Sequence, residues 1–156
     1  MKGNEKIIAT LNSLLADELT AISQYMVHSE MCAAWGYERL HKIVEKRAID
    51  EMKHAEKLIG RILYLEGLPI LSNLNPMHIG DDVAKQLAND AKSEEEAIGA
   101  YNKAIAEAVK LGDNGTRELL GSILKDEEDH MDLLEMKLDQ IKHMGIHTFL
   151  ATQVEE

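Results

Sequence analysis

Two short motifs, Glu51-x-x-His54 and Glu127-x-x-His130, recur 76 residues apart in this chain. A separation of three puts both side chains on one face of an α-helix. Each motif has a glutamate 33 residues upstream, Glu18 and Glu94, and the 76-residue shift maps one onto the other. The midpoint of each glutamate pair falls beside a break, Trp35–Gly36 in one half and Leu111–Gly112 in the other. Residues equidistant from the turn of an antiparallel hairpin stand at the same height. The pattern therefore demands two similar helical hairpins, packed so that four carboxylates and two imidazoles meet at one level.

The rest of the chain accommodates that demand. Ala, Leu, Ile, Met, Glu and Lys dominate, and only two prolines interrupt 156 residues, a mix that favours helices. Apolar residues at helical spacing predict four long helices over about 5–34, 38–66, 82–111 and 116–144, in a single domain spanning 1–156. Gly36 breaks the first pair. Gly112 and Gly115 end the third helix, with Thr116 a candidate cap for the fourth. The link between the hairpins, GLPILSNLNPMHIGD, holds both prolines. Extended at ~3.3 Å per residue, it can run the length of a thirty-residue helix rising ~1.5 Å per residue. After Gly145, the tail GIHTFLATQVEE offers a short fifth helix over about 146–152, with Phe149 and Leu150 as its apolar contacts. The expected fold is all-α: a four-helix bundle with a long crossover between helices two and three, the ferritin-like connection.

Four carboxylates gathered in an apolar interior repel one another, and burying even one unpaired costs several kcal/mol. Two divalent cations balance their charge. Oxygen-rich ligation with one imidazole per metal suits iron or manganese better than a thiolate-preferring ion. The competing reading pairs the carboxylates internally, with Arg47 or Lys53 as the cations.

Other features narrow the function by exclusion. A net charge of −11 argues against nucleic acid as a partner. No apolar run approaches the ~20 residues a membrane span needs. The start, MKGNEKIIAT, lacks a secretory signal's apolar core. One cysteine, Cys32, allows no internal disulfide and fits a cytoplasmic protein.

With these residues in view, the chain resembles the bacterioferritins along essentially its whole length, through MKG at the start, ISQY at 22–25, IDEMKHAEKLI at 49–59 and ILYLEGLP at 62–69. The resemblance implies a homo-oligomeric shell of twenty-four subunits built from dimers, which oxidises Fe(II) with O2 or H2O2 and stores a ferric mineral. It implies that Glu18 and His54 bind one iron, Glu94 and His130 the other, and that Glu51 and Glu127 bridge them. Met52 neighbours Glu51 and so points roughly 100° off the ligand face. Ile49, Ile59 and Leu63 on its helix, with Leu19 and Met26 on the first, make a second apolar face suited to an isologous dimer. In bacterioferritins, that methionine from each of two subunits binds a shared b-type haem. The resemblance thus implies Met52 as axial ligand, with Ile22, Ser23 and Met26 as pocket contacts, haem assisting iron release, and a small ferredoxin as electron donor. Some members have a histidine at position 46 that binds iron with Asp50 on the inner wall; Lys46 cannot take that role while charged.

Tyr25, one helical-face repeat beyond Glu18, offers an electron or a hydrogen bond near the metals, or simply packs in the core. Histidines 28, 41, 78, 143 and 147 show no ligand-like pairing and read as surface or satisfied residues. The alternatives are a di-iron peroxidase of the rubrerythrin type, which usually carries a further four-cysteine domain, and a helical bundle with a purely structural role.

Overall fold

The computed structural model describes residues 1–155 and contains five helices: α1 (Glu5–Ala34), α2 (Glu38–Tyr64), α3 (Val83–Lys110), α4 (Asn114–Met144) and the short α5 (Ile146–Ala151). The chain is all-α, as expected, with no strand among the described residues. Helices α1 and α2 pack as one hairpin and α3 and α4 as the other, and α1 against α3 and α2 against α4 close the bundle. No helix is long and apolar enough to cross a membrane among the described residues.

Three of the helix starts are capped by side chains, which satisfy backbone N–H groups left without an intrahelical acceptor. Asn4 accepts from Lys6, Asp82 from Lys85 and Asp113 from Thr116. The last differs from the sequence reading, in which Thr116 caps α4 and Gly115 helps end α3. Asp113 is the better acceptor: its carboxylate takes the Thr116 N–H and hydroxyl together and is held by Arg61 at 2.8 Å. Gly115 lies inside α4, where a Cβ would sit only 2.7 Å from that guanidinium. Helix α2 has no side-chain cap. Instead, the chain beyond α5 returns the Gln153 carbonyl to the Arg39 N–H at 3.0 Å.

The core comes in two large apolar blocks and a small third of Tyr25, Val44 and Ala48. Toward the start of α1, Ile7, Leu11, Leu15, Leu58, Ile62, Leu120 and Ile123 interlock. At the opposite end Cys32, Leu40, Val83, Leu87 and Leu134 pack around the fully buried Phe149 of α5. Each such side chain stabilises the fold by about 1.5–3 kcal/mol.

Polar side chains on α1 fasten the crossover, which has no backbone ladder of its own. Asn12 bonds Leu68 O and Ile70 N, Thr20 takes the Asn75 N–H, Gln24 the His78 N–H, and His28 Nε2 the Gly80 N–H. Positions 12, 20, 24 and 28 are spaced by multiples of four, one stripe of the helix. That stripe fixes the long link along its whole course.

Candidate metal centre

All six residues singled out by their spacing converge between the helices. Glu18, Glu51, His54, Glu94 and Glu127 are each exposed by 2% or less and His130 by 8%. Their donor atoms form two overlapping groups: Glu18, Glu51, His54 and Glu127 in one, Glu51, Glu94, Glu127 and His130 in the other. Glu51 and Glu127 belong to both. The imidazole rings stand 6.2 Å apart across the centre.

Each imidazole turns Nδ1 inward. His54 Nδ1 lies 3.1 Å from Glu51 Oε2 and 3.7 Å from Glu18 Oε2; His130 Nδ1 lies 3.1 Å from Glu51 Oε1 and 3.5 Å from Glu94 Oε1. The outer nitrogens meet two further carboxylates. His54 Nε2 is 2.9 Å from Asp126 Oδ2, and His130 Nε2 is 3.1 Å from Asp50 Oδ2. Because Asp126 and Asp50 accept the Nε2 proton, each ring can present a bare Nδ1 to an ion, the usual outer support of a metal-binding histidine. The 76-residue shift maps Asp50 onto Asp126, yet each serves the histidine of the other motif. Sequence reasoning missed this pairing, although the repeat contained the signal. Asp50 Oδ2 is also held by Lys46 at 2.9 Å.

The tyrosines follow the same crossed rule. Tyr25 on α1 donates to Glu94 Oε1 on α3 at 2.8 Å, and Tyr101 on α3 donates to Glu18 Oε1 on α1. Internal pairing by Arg47 or Lys53 does not occur. Arg47 is buried, bonds Asp90 at 2.8 Å, and lies 4.4 Å over the Tyr25 ring; Lys53 is exposed.

Protons take the counter-ion role in the metal-free centre. Burial, then the adjacent Glu51 charge, pushes the Glu18 carboxyl well above its usual range. Burial and the bond with Glu94 push Glu127 up to about 12. For His130 burial opposes the charge, but bonds to Glu51 and Glu94 outweigh it and the pKa rises to about 10. His54 is raised too, because the Glu127, Glu18 and Glu51 carboxyls around its ring outweigh the same burial cost. Glu51, although burial opposes its ionisation, is held well below the carboxylate range by hydrogen bonds from Glu18, His130 and His54. Four groups thus carry protons where two divalent ions would carry the same positive charge.

Three buried carboxyl oxygens, Glu18 Oε2, Glu94 Oε2 and Glu127 Oε1, have no hydrogen-bond partner. Glu127 Oε1 lies 2.8 Å from His54 Nδ1 but outside its bonding direction. Buried polar oxygens without partners are costly, and a cation that replaces the protons would satisfy them. The donor set therefore fits a pair of divalent ions. A cavity of about 200 Å³, lined by Asp17, Glu18, Gln24, Tyr25, Glu94 and Glu96 among others, adjoins the centre beneath the crossover.

A family model described as a ferritin-like domain matches residues 8–144. Named bacterioferritins align over nearly the full chain. That of Brucella melitensis is 41% identical, covering 93% of this chain and 90% of its own. That of Rhodobacter capsulatus is 39% identical over 96% and 92%, and that of Streptomyces coelicolor 36% identical over 100% and 93%. The chain belongs to the bacterioferritin family.

A second apolar surface lies on the outside of the same hairpin. Met52 is 45% exposed, turned away from the buried face that its neighbour Glu51 occupies, with Met26, Ile49 and Leu63 also exposed. Ile22 and Ser23 are half-buried; Ile22 packs on the core and the Ser23 hydroxyl donates to Leu19 O at 3.0 Å.

Proposed function

We propose that this bacterioferritin stores iron and is a ferroxidase: Fe(II) is its substrate, taken by the six-residue centre, and a ferric mineral is its cargo. The observation that carries this reading is the pair of overlapping donor groups sharing Glu51 and Glu127, with orphaned carboxylate oxygens facing inward. Glu18 with His54, and Glu94 with His130, would each hold one Fe(II), and Glu51 and Glu127 would join them. Two Fe(II) ions held together supply two electrons to O2 or peroxide; with O2, two protons complete H2O2 and leave two Fe(III).

The chain's own residues prepare that chemistry. Asp50 and Asp126 orient the imidazoles, while Tyr25 and Tyr101 fix one oxygen each of Glu94 and Glu18. Burial excludes bulk water, and the four displaceable protons let the centre accept two divalent ions without a net charge penalty. Carboxylates adapt readily when the ions gain charge.

We assign the remaining roles on the same family basis. The single 1–156 domain assembles into dimers and then a 24-subunit shell around the mineral. The exposed thioether of Met52, among apolar neighbours, fits an axial ligand to a b-type haem shared with a second copy, with Ile22, Ser23 and Met26 beside it. The haem would relay electrons from a small ferredoxin for iron release. The free buried thiol of Cys32 suits the reducing cytoplasm.

Stopped-flow Fe(II) oxidation by Glu18→Ala and His130→Ala tests the centre, with particle size measured alongside. Each variant should assemble normally yet lose rapid oxidation. Unchanged rates would overturn the assignment, and turnover without iron retention would favour a rubrerythrin-like peroxidase. Met52→Leu should assemble without haem absorbance.

A further inference from the structure

We propose that Glu30, His41 and Glu45 form a second, peripheral site for a divalent transition-metal ion, beside the α1–α2 turn. His41 was among the histidines without a visible partner in the sequence, and the fold supplies its partners. Glu30 and His41 flank the turn at equal distance, and Glu45 lies one helical turn further along α2. A donor atom from each comes within 4.8 Å of the other two, and His41 Nε2 is 3.7 Å from Glu45 Oε2.

What separates this group from an ordinary acidic surface is the state of the ring. His41 Nδ1 lies 2.9 Å from the Ser29 hydroxyl and 3.0 Å from the Ser29 carbonyl oxygen; the carbonyl can only accept and the hydroxyl proton is directed at the His41 carbonyl, so Nδ1–H donates to Ser29. The Ser29 hydroxyl donates to the His41 carbonyl at 3.1 Å and clamps the same turn from the other side. With Nδ1 turned to Ser29, the ring directs Nε2 toward Glu45 Oε2, 3.7 Å away, and Glu30 completes the group. A backbone carbonyl that fixes the tautomer and aims the other nitrogen outward is the support that metal-binding histidines use. Ser29 is buried and the ring mostly so, whereas Glu30 and Glu45 are exposed.

One imidazole and two carboxylates suit Zn2+ or Fe2+, with water completing the shell. Ligands at ~2.1 Å from one ion stand no more than about 4.2 Å apart, so donors within 4.8 Å of one another must close by at most about 0.6 Å. The exposed glutamates are free to make that adjustment. The site shares no residue with the six-donor centre, and its proposal does not depend on the ferroxidase reading.

Crystals of the full-length protein soaked in Zn2+ would test it, by anomalous scattering at the zinc edge. The expected result is a peak bounded by Glu30, His41 and Glu45, present beside those of the central site and absent from His41→Gln. Equilibrium dialysis should show one fewer Zn2+ per subunit in both His41→Gln and Glu45→Gln. An empty wild-type position in crystals whose central site is filled would overturn the proposal. So would a peak that persists in His41→Gln. Central-site occupancy in the same crystals reports separately on the main centre.

Discussion

The two sides of the metal centre are related by the internal repeat and built from opposite materials. On the Tyr25 side, Asp90 accepts from Gln24, His28 and Arg47, all four of them buried. The 76-residue shift places Ala100, Ala104 and Ile123 where Gln24, His28 and Arg47 stand, and Leu14 where Asp90 stands. That second set belongs to the apolar core or packs against it. The repeat is thus kept in the ligands, in the aspartates behind the histidines and in the tyrosines, and abandoned one layer further out. Chemistry at the centre needs symmetry; the scaffold around it needs only to hold the ligands at one height, which a salt-linked cluster and a dry core both do.

The largest expected effect comes from breaking the polar side. Arg47→Leu leaves Asp90 buried without its cation and should cost about 3–5 kcal/mol in denaturant unfolding of the metal-free protein. The double variant Arg47→Ile with Asp90→Leu, which gives the ion pair the residues of the apolar side but leaves Gln24 and His28 without their acceptor, should recover part of that loss. If it does not, the two sides are not interchangeable. On the apolar side Ile123→Ala should cost about 2–4 kcal/mol through the cavity it leaves, and no second change on a polar partner should rescue it.

The crossed aspartates give a smaller effect. Asp50→Asn and Asp126→Asn should each weaken metal binding by about tenfold to a hundredfold, the first at the His130 position and the second at the His54 position. Equal loss at both positions from either variant would show that the crossing carries no information.

A gentler probe is pH. In the folded metal-free protein, His130 is raised from 6.5 to about 10 and Glu127 from 4.5 to about 12. Groups raised on folding contribute stability that is complete below their unfolded values and lost as pH climbs toward the folded ones. The metal-free protein should therefore melt at progressively lower temperature between about pH 6.5 and 10, and two divalent ions bound at the centre should flatten that slope. A metal-free melting temperature that stays constant there would contradict the protonated centre.

Much of this was legible in the sequence because the governing constraints are short-ranged or mirrored about a turn. The Glu-x-x-His spacing, the glutamates equidistant from Gly36 and Gly112, and the length of the proline-bearing link were enough for the bundle and the six donors. The support that Asp50 and Asp126 give the histidines went unread because each sits beside a ligand glutamate, where helical periodicity turns it off the central face. It reaches a histidine only across the helix pair. Arg47 and Asp90 are 43 residues apart with no motif to join them, and His28 gains its partners only from α3 and the crossover. Asp113 outcompeted Thr116 as the cap because Arg61, from another helix, anchors its carboxylate.

The stripe on α1 that fastens the crossover grips the link's main chain at Ile70, Asn75, His78 and Gly80 and leaves nearly every side chain from 68 to 79 facing outward. Lettering on that strap is consequently cheap to rewrite, whereas its length is not: an added or deleted residue would throw each later amide out of step with the side chain waiting for it. The outer wall of the subunit offers a stretch whose identity can drift, or be replaced by a chosen epitope of equal length, while the chamber beneath keeps its shape.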